Sequence, residues 1–175
     1  MSVNASIRQL ESSVLVDDVR NALLETGLSA DALVIEITET ALMRDTKLTV
    51  ACLRRLKELG VRLAIDDFGT GYSSLAYLRQ FPVDELKIDR GFVVAMLESS
   101  EALALTQALV KLGHTLGLKT VAEGIEQAEQ LDGLRLNQCE GGQGFLFSRP
   151  SAPEAVEAFL KDWTTAPIPQ RAAGL

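Results

Sequence analysis

The chain has 175 residues, 47% of them hydrophobic, which is enough for one domain with a sizeable core. Its net charge is −7 and it has no block of lysine and arginine, which argues against a general nucleic-acid binder or a membrane-surface protein. Cys52 and Cys139 lack CxxC spacing, so no disulfide framework is expected. No apolar run reaches transmembrane length and no signal peptide is visible, so we predict a cytoplasmic location.

Strand and helix patterns alternate along the chain. The predicted strands cover residues 1–4, 33–39, 61–66, 85–89, 119–123 and 143–147. The predicted helices cover residues 13–26, 45–59, 100–116, 127–134 and 153–163, and residues 164–175 are expected to be disordered. This alternation predicts parallel β/α units in one domain over residues 1–163.

The stretch from Arg62 onward carries the strongest local signal. A strand ends at Asp66 and Asp67, and two adjacent carboxylates are costly to bury unless cations neutralise them. Gly69 and Gly71 follow, where the backbone can take a positive φ or approach a ligand closely, and Ser73 can cap a short helix. This order is typical of a metal or phosphate site at the end of a parallel strand.

Other acidic residues also fall at the C-terminal ends of predicted strands, where β/α barrels gather their chemistry. The set comprises Glu36, Glu39, Asp66, Asp67, Asp89, Glu123 and Glu126, with Asn4 as a neutral oxygen ligand. Oxygen ligands suit Mg²⁺, Mn²⁺ or Ca²⁺, and the only histidine, His114, lies in a helix, so zinc held by imidazoles is not expected. Two such cations could clamp both oxygens of a phosphodiester displacement, with Asp66 bridging them.

Each of these residues has a simpler interpretation when taken alone. A strand-end acid is more often solvated or a helix cap, Lys87 alone would be a solvated charge, and Asn4 alone would be a turn residue. The joint spacing of the acids favours a site. For Glu39 and Glu126, the structural and the functional interpretation both stay open.

The sequence Asp-Asp-Phe-Gly-Thr-Gly-Tyr-Ser-Ser-Leu at residues 66–75 resembles the signature loop of the EAL domain, the bacterial cyclic-di-GMP phosphodiesterase family. Further family-like motifs follow the family's order, at residues 3–6, 36–39, 86–89, 122–126 and 143–144. The resemblance implies an α/β fold, a TIM-like (β/α) barrel of which this chain matches the last six of eight strands. The Glu-Ala-Leu motif segment is missing, because residues 101–103 open a helix and match by chance.

The resemblance also implies roles for the strand-end residues. Asn4, Glu36 and Asp66 resemble ligands of a first metal ion, and Asp66, Asp67 and Asp89 resemble the second-metal side. Lys87 matches a lysine that contacts the attacking water, and Glu123 a residue of the metal–water network. The expected catalytic residues are Lys87, Glu123 and Asp67, with Mg²⁺ or Mn²⁺ as cofactor and Ca²⁺ inhibitory if bound.

Residues around this site are assigned by the same resemblance. Glu39 and Glu126 resemble residues that support the ligands or anchor a loop. Gln143, Arg149 and Pro150 match positions that line the guanine or phosphate pocket. Residues 68–75, which include Phe68, Gly69, Thr70 and Gly71, resemble the loop that couples the metal site to a dimer interface.

The resemblance implies two-metal hydrolysis of cyclic-di-GMP to pGpG, impaired here because the Glu-Ala-Leu segment is absent. The alternatives are a non-catalytic regulatory or binding module derived from this fold, or a fragment of a complete enzyme. An open six-stranded sheet would leave unpaired edges near Val3 and Phe145. It would also uncover barrel-facing side chains, expected to include Ile35, Ile65, Ile88 and Val121. We therefore predict a homodimer.

Overall fold

The computed structural model describes residues 1–12, 14–42, 46–71 and 78–165, and the structural statements below refer to these. They contain one six-stranded sheet in which neighbours along the chain pair in parallel, in the order β1 to β6. The strands are β1 (Ser2–Asn4), β2 (Val34–Thr38), β3 (Arg62–Phe68), β4 (Glu85–Ile88), β5 (Lys119–Ala122) and β6 (Gly141–Gly142). The sheet curls into half of a barrel.

Helices connect the strands and cover one face of the sheet. They are α1 (Ile7–Leu10), α2 (Leu15–Thr26), α3 (Glu39–Leu42), α4 (Thr46–Glu58), α5 (Arg90–Ala95), α6 (Ser100–Thr115), α7 (Ala128–Leu136) and α8 (Pro153–Thr165). A 3-10 turn spans Ala30–Ala32. None of the helices in the described part of the chain combines the length and the apolar character needed to span a bilayer.

Most of the predicted elements are present within one to three residues of their expected bounds. The sequence pattern missed the short helices α1, α3 and α5, which have only four to six residues and so show no clear periodicity. The predicted cap at Ser73 and residues 166–175 of the predicted tail lie outside the described residues.

The last predicted strand, at residues 143–147, is wrong. The strand that pairs with β5 is Gly141–Gly142, and residues 144–147 form a turn in which Phe147 N donates to Gly144 O at 3.1 Å. A Cβ at Gly144, where this turn begins, would lie 2.1 Å from the backbone oxygen of Ile125, so a glycine is needed for this close approach. The apolar run at 145–147 imitates a buried strand, although Phe145 is about half exposed.

The two faces of the sheet differ sharply in polarity. Side chains of residues paired in register across parallel strands lie on the same face. The face that carries Glu36 and Lys87, called the polar face below, also carries Glu85 and Lys119. On the opposite, helix-covered face, buried aliphatic side chains of β2, β3 and β4 pack with leucines of α4 and α6.

The prediction that Ile35, Ile65 and Ile88 lack cover is therefore wrong. Their exposed fractions are 3%, 0% and 0%, because alternation along each strand puts them on the helix-covered face. Val121, which pairs in register with Lys87, does lie on the polar face and is half-buried. The strand edges remain, since β1 and β6 each have one neighbour among the described strands.

A layer of charges stabilises the polar face near the N-terminal ends of the strands. Glu85 is buried, and its Oε1 lies 2.7 Å from Arg62 Nη1 and 3.9 Å from Lys119 Nζ. A buried carboxylate needs such partners, because its desolvation costs several kcal/mol. Arg62 also donates to Asp31 O at 2.8 Å, which fixes the loop before β2.

The contact between α6 and the sheet yields a stability prediction. A Cβ at Gly113 in α6 would lie 2.2 Å from Cγ2 of the fully buried Thr120. Overpacking costs about 1–3 kcal/mol and outweighs the helix-propensity gain of about 1 kcal/mol, so Gly113→Ala should lower the free energy of unfolding. Gly133→Ala is the matched control, since its Cβ would meet only the flexible end of Met96. Urea unfolding that shows both variants equally stable would contradict this packing.

Candidate metal centre

One buried ammonium group contacts carboxylates at the ends of the central strands. Lys87 of β4 is 4% exposed, and its Nζ lies 2.8 Å from Glu36 Oε2 and 3.0 Å from Asp66 Oδ1. It also contacts Glu123 Oε1, at the end of β5. The C-terminal ends of β2, β3, β4 and β5 thus meet at one point of the polar face.

The charges at this point do not balance. Glu36, Asp66 and Glu123 carry three negative charges when ionised, and Lys87 carries one positive charge. Burial by itself lowers the pKa of Lys87, but the contacts with Glu123, Glu36 and Asp66 outweigh burial and raise it above its usual range, so Lys87 is charged. Burial raises the pKa of Glu123, and the charges of Asp66 and Glu36 add to this although Lys87 opposes them.

Asp67 reaches the cluster because β3 contains a bulge. Simple alternation would send Asp67 to the helix-covered face, opposite to Asp66. Between Ile65 and Phe68 the pairing with β4 shifts by one residue, and Asp67 takes a φ of +53°, in the left-handed region. An aspartate tolerates this conformation better than most residues, and the bulge turns its carboxylate back to the polar face.

These acids form a group that can hold a metal ion. Asp66, Asp67 and Glu123 each offer a carboxylate oxygen, and these oxygens lie within 4.8 Å of one another. Asp66 Oδ1 is buried and, among the described residues, it accepts no hydrogen bond, although Lys87 lies at ion-pair distance. A buried oxygen of this kind, inside a group with excess negative charge, fits an oxygen-preferring divalent cation.

The other two proposed ligands lie at the rim of the cluster. Asn4, at the end of β1, pairs in register with Glu36 and is exposed. Asp89 follows β4, and its Oδ1 accepts from Gly91 N at 2.9 Å, so it also caps α5. Burial raises the pKa of Asp67, and the charges of Asp66 and Asp89 add to this although Lys87 opposes them.

Glu39 holds the loop that follows β3. It is buried in the first turn of α3, and its Oε2 accepts from Gly69 N at 3.0 Å and from Gly71 N at 3.2 Å. Gly69 has a φ of +99°, and a Cβ at Gly71 would lie 2.8 Å from Glu39 Oε1. Both glycines are therefore required for different reasons, one by conformation and the other by close approach.

The start of this loop is fixed by further contacts. Phe68 is buried at the end of β3, and the Thr70 hydroxyl donates to Asp67 O at 2.8 Å. Phe68 therefore belongs to the strand rather than to the loop, because the bulge extends β3 beyond its predicted end at residue 66. Residues 72–75 of the predicted coupling loop lie outside the described residues.

A cavity of about 630 Å³ adjoins the acidic cluster. Its lining includes Glu126, Gln143, Arg149 and Pro150, all proposed from the sequence, and also residues that the sequence did not single out, chiefly Arg90, Phe145 and Phe159. Gln143 Nε2 donates to Glu123 Oε1 at 2.7 Å and so connects the cavity with the cluster. The Arg149 guanidinium lies 4.8 Å from the centroid of the Phe145 ring.

Arg90 could have been suspected from its position directly after Asp89, at the end of β4. Its Nη2 lies 2.8 Å from Glu126 Oε1, and this ion pair places both charges at the cavity wall. Phe145 carried no such signal, since its pattern indicated a strand.

Fold and site together define a TIM-barrel-like β/α protein whose strand ends carry a lysine-centred carboxylate cluster of metal-binding type. The EAL domain family model matches residues 1–150, and the chain belongs to the EAL domain family. Its sequence is 50% identical over 161 residues to the cyclic di-GMP phosphodiesterase NbdA of Pseudomonas aeruginosa, covering 92% of this chain and 21% of NbdA. The chain spans about a fifth of the length of the curated relatives it matches.

Solved structures agree with this family assignment. A c-di-GMP complex of the MucR phosphodiesterase of Pseudomonas aeruginosa has a TM-score of 0.84 at 46% identity, covering 89% of this chain and 63% of that one. A manganese and cyclic-di-GMP complex of Klebsiella pneumoniae BlrP1 has a TM-score of 0.79 at 35% identity, covering 85% and 38%. BlrP1 was also solved with calcium and cyclic-di-GMP.

The shared ammonium yields a second prediction. Lys87→Met leaves three largely buried carboxylates without their counter-charge, so the free energy of unfolding should fall by about 3–5 kcal/mol. Mn²⁺ should restore more stability in this variant than in the wild type, because a bound cation replaces the lost charge. Lys57→Met, which breaks a pair with Asp84 whose side chains are only about one-third exposed, should cost less, at about 1 kcal/mol. Equal losses in chemical unfolding would contradict the central role of Lys87.

Proposed function

We propose that this chain is a metal-dependent phosphodiesterase domain that opens cyclic-di-GMP to linear pGpG. The observation that carries the proposal is the convergence of Asp66, Asp67 and Glu123 beside the buried Lys87. Membership of the EAL family and the similarity to NbdA and MucR, which are cyclic di-GMP phosphodiesterases, support the choice of substrate. Water adds to one phosphorus atom while the bond between that phosphorus and a ribose oxygen breaks. One ring opening therefore gives one linear dinucleotide.

The chain's own residues divide the work. Two divalent cations would be held by oxygen ligands at the strand ends, namely Glu36, Asp66, Asp67, Asp89, Glu123 and Asn4. Bound cations of this kind lower the pKa of water and neutralise charge on the phosphoryl oxygens. Lys87 holds Glu36, Asp66 and Glu123 at one point, and its positive charge favours a hydroxide nearby over neutral water.

The cation is proposed to be Mg²⁺ or Mn²⁺. The donor set consists of carboxylates and one amide, which suits hard cations, and BlrP1 was solved with manganese beside cyclic-di-GMP. Ca²⁺ takes more ligands at longer distances, and we propose that it binds without supporting hydrolysis. The cytoplasmic location predicted from the sequence stays a prediction.

The cavity beside Glu123 is the proposed place for a guanine or a phosphate. Arg149 and Pro150 line it, and Gln143 lies between the cavity and the cluster. Cations and a mainly apolar wall suit a planar base with an anionic group. Glu39 is proposed to anchor the glycine loop, and Glu126 to hold Arg90 at the cavity wall.

A non-catalytic binding module is the second candidate. The motivation is the ligand set of these 175 residues taken by themselves: they do not contain the Glu-Ala-Leu glutamate that the resemblance makes a metal ligand. With one carboxylate fewer, these residues alone should bind divalent cations more weakly than the MucR phosphodiesterase. Calorimetry that shows micromolar or tighter Mg²⁺ binding to this chain would contradict the expected impairment.

Hydrolysis assays separate the two candidates. With Mn²⁺ or Mg²⁺ the chain should convert cyclic-di-GMP slowly to pGpG, and Asp66→Asn or a chelator should abolish turnover because the buried ligand oxygen or the cation is lost. Asp132→Asn is the matched control, since Asp132 is a half-exposed residue of α7 that belongs neither to the cluster nor to the cavity lining. Binding of cyclic-di-GMP without any product would establish the non-catalytic binding module. Absence of both binding and product would reject cyclic-di-GMP as the ligand.

A homodimer is proposed as the assembly. Among the described strands, β1 and β6 each have one neighbour, and their other edges carry backbone groups that a second copy can pair or cover. The isoleucines of the sheet do not contribute to this proposal, because helices already cover them. Sedimentation at micromolar concentration should give a two-chain species, and a single monomeric species with protected amides at Val3 and Gly142 would reject the dimer.

A further inference from the structure

The segment between β5 and α7, residues 123–127, carries Glu123 to the centre of the cluster. Its backbone is bound on both sides of Gly124, since Glu123 N donates to Ile88 O at 3.1 Å, while Ile125 N donates to Gln143 O and Ile125 O accepts from Leu146 N, both at 3.0 Å. Between these points the chain turns at Gly124, which has a φ of +66°. The direction of the Glu123 side chain therefore depends on how firmly this turn is held.

Gln130 holds the segment from the inside. It lies in the first turn of α7 with an exposed fraction of 2%, and its Oε1 accepts from Glu126 N at 2.8 Å and from Gln127 N at 3.0 Å. One buried oxygen thus satisfies two consecutive backbone donors. Neither donor has a helical partner at this position, because both precede the first residue of α7.

Arg90 covers the segment from the outside. A Cβ at Gly124 would lie 2.3 Å from Arg90 Cγ, so the side chain crosses directly over this glycine before pairing with Glu126. Arg90 is 60% exposed, and exposed ion pairs contribute little. The buried Gln130 is therefore the stronger of the two restraints, since withdrawing it leaves two partly buried N–H groups without an acceptor.

We propose that Gln130 is a positioning residue for Glu123. Gln130 is neither a member of the cluster nor part of the cavity lining; it bonds the backbone of Glu126, whose side chain lines the cavity, and it acts by fixing the turn that aims Glu123 at Lys87. This rests on the proposed function insofar as Glu123 acts in metal binding or hydrolysis. Loss of a group that orients a metal-site residue typically lowers metal affinity or turnover by about 10–100-fold.

The test compares two near-isosteric variants of the full 175-residue chain. Gln130→Met removes the acceptor oxygen, whereas Gln130→Glu keeps it. Thr106→Val is the structural control, because it removes another buried side-chain bond to a backbone carbonyl, that of Phe92, away from the cluster. The readouts are the Mn²⁺ dissociation constant, kcat and KM for cyclic-di-GMP, and hydrogen exchange at the amides of residues 123–127.

We expect Gln130→Met to weaken Mn²⁺ binding or lower kcat by about tenfold and to speed exchange at Glu126 and Gln127. Gln130→Glu should stay near wild type, and Thr106→Val should lower the melting temperature only. If Gln130→Met does not fold, Gln130→Asn withdraws the oxygen by one methylene and should show the same pattern. Equal effects of Gln130→Met and Thr106→Val on Mn²⁺ binding and kcat would overturn the proposal.

Failure of the proposed function has a different signature. In that case the wild type neither binds Mn²⁺ nor turns over cyclic-di-GMP. The hydrogen-exchange data alone then decide whether Gln130 positions Glu123. Faster exchange at the Glu123 amide in Gln130→Met, but not in Thr106→Val, would then support it. Unchanged exchange at residues 123–127 in both variants would overturn it.

Discussion

The structure depends on the sharing of one ammonium group by several carboxylates. Lys87 reaches Glu36, Asp66 and Glu123 from the middle of the sheet, so four strand ends must keep their register for these groups to meet. A buried charge without a partner costs several kcal/mol, which ties the register of the strands to this contact. Because the ammonium balances only one of three negative charges, the same contact that orders the strand ends leaves a need for cations.

Two layers of charge on one face help to fix the register of the strands. Glu85 with Arg62 and Lys119 forms the layer near the start of the strands, and Lys87 with its carboxylates forms the layer near their ends. A slip by one residue would move both layers onto the helix-covered face and expose the aliphatic side chains that now pack there. The polar face can therefore be stabilised by ion pairs, while the aliphatic side chains pack on the helix-covered face.

Part of the candidate site could be predicted from the sequence. The acids stand at the ends of predicted strands, and parallel strands end at one edge, so the approach of Glu36, Asp66 and Glu123 follows from pattern alone. The position of Asp67 does not, because alternation assigns it to the wrong face and only the bulge corrects this. The contact of Gln143 with Glu123 could not be predicted from the pattern either, because it joins loops 20 residues apart in the chain.

The sequence by itself determined the β/α order, the parallel sheet and the motif set that the EAL family model also matches. These features are local, because they depend on periodicity, turn chemistry and the spacing of residues along one segment. Only the tertiary structure decided which face each strand residue occupies, that residues 144–147 turn instead of pairing, and that Gln130 and Glu39 hold the loops. Those outcomes depend on contacts between segments distant in the chain, where burial and hydrogen bonding override the preferences of a single stretch.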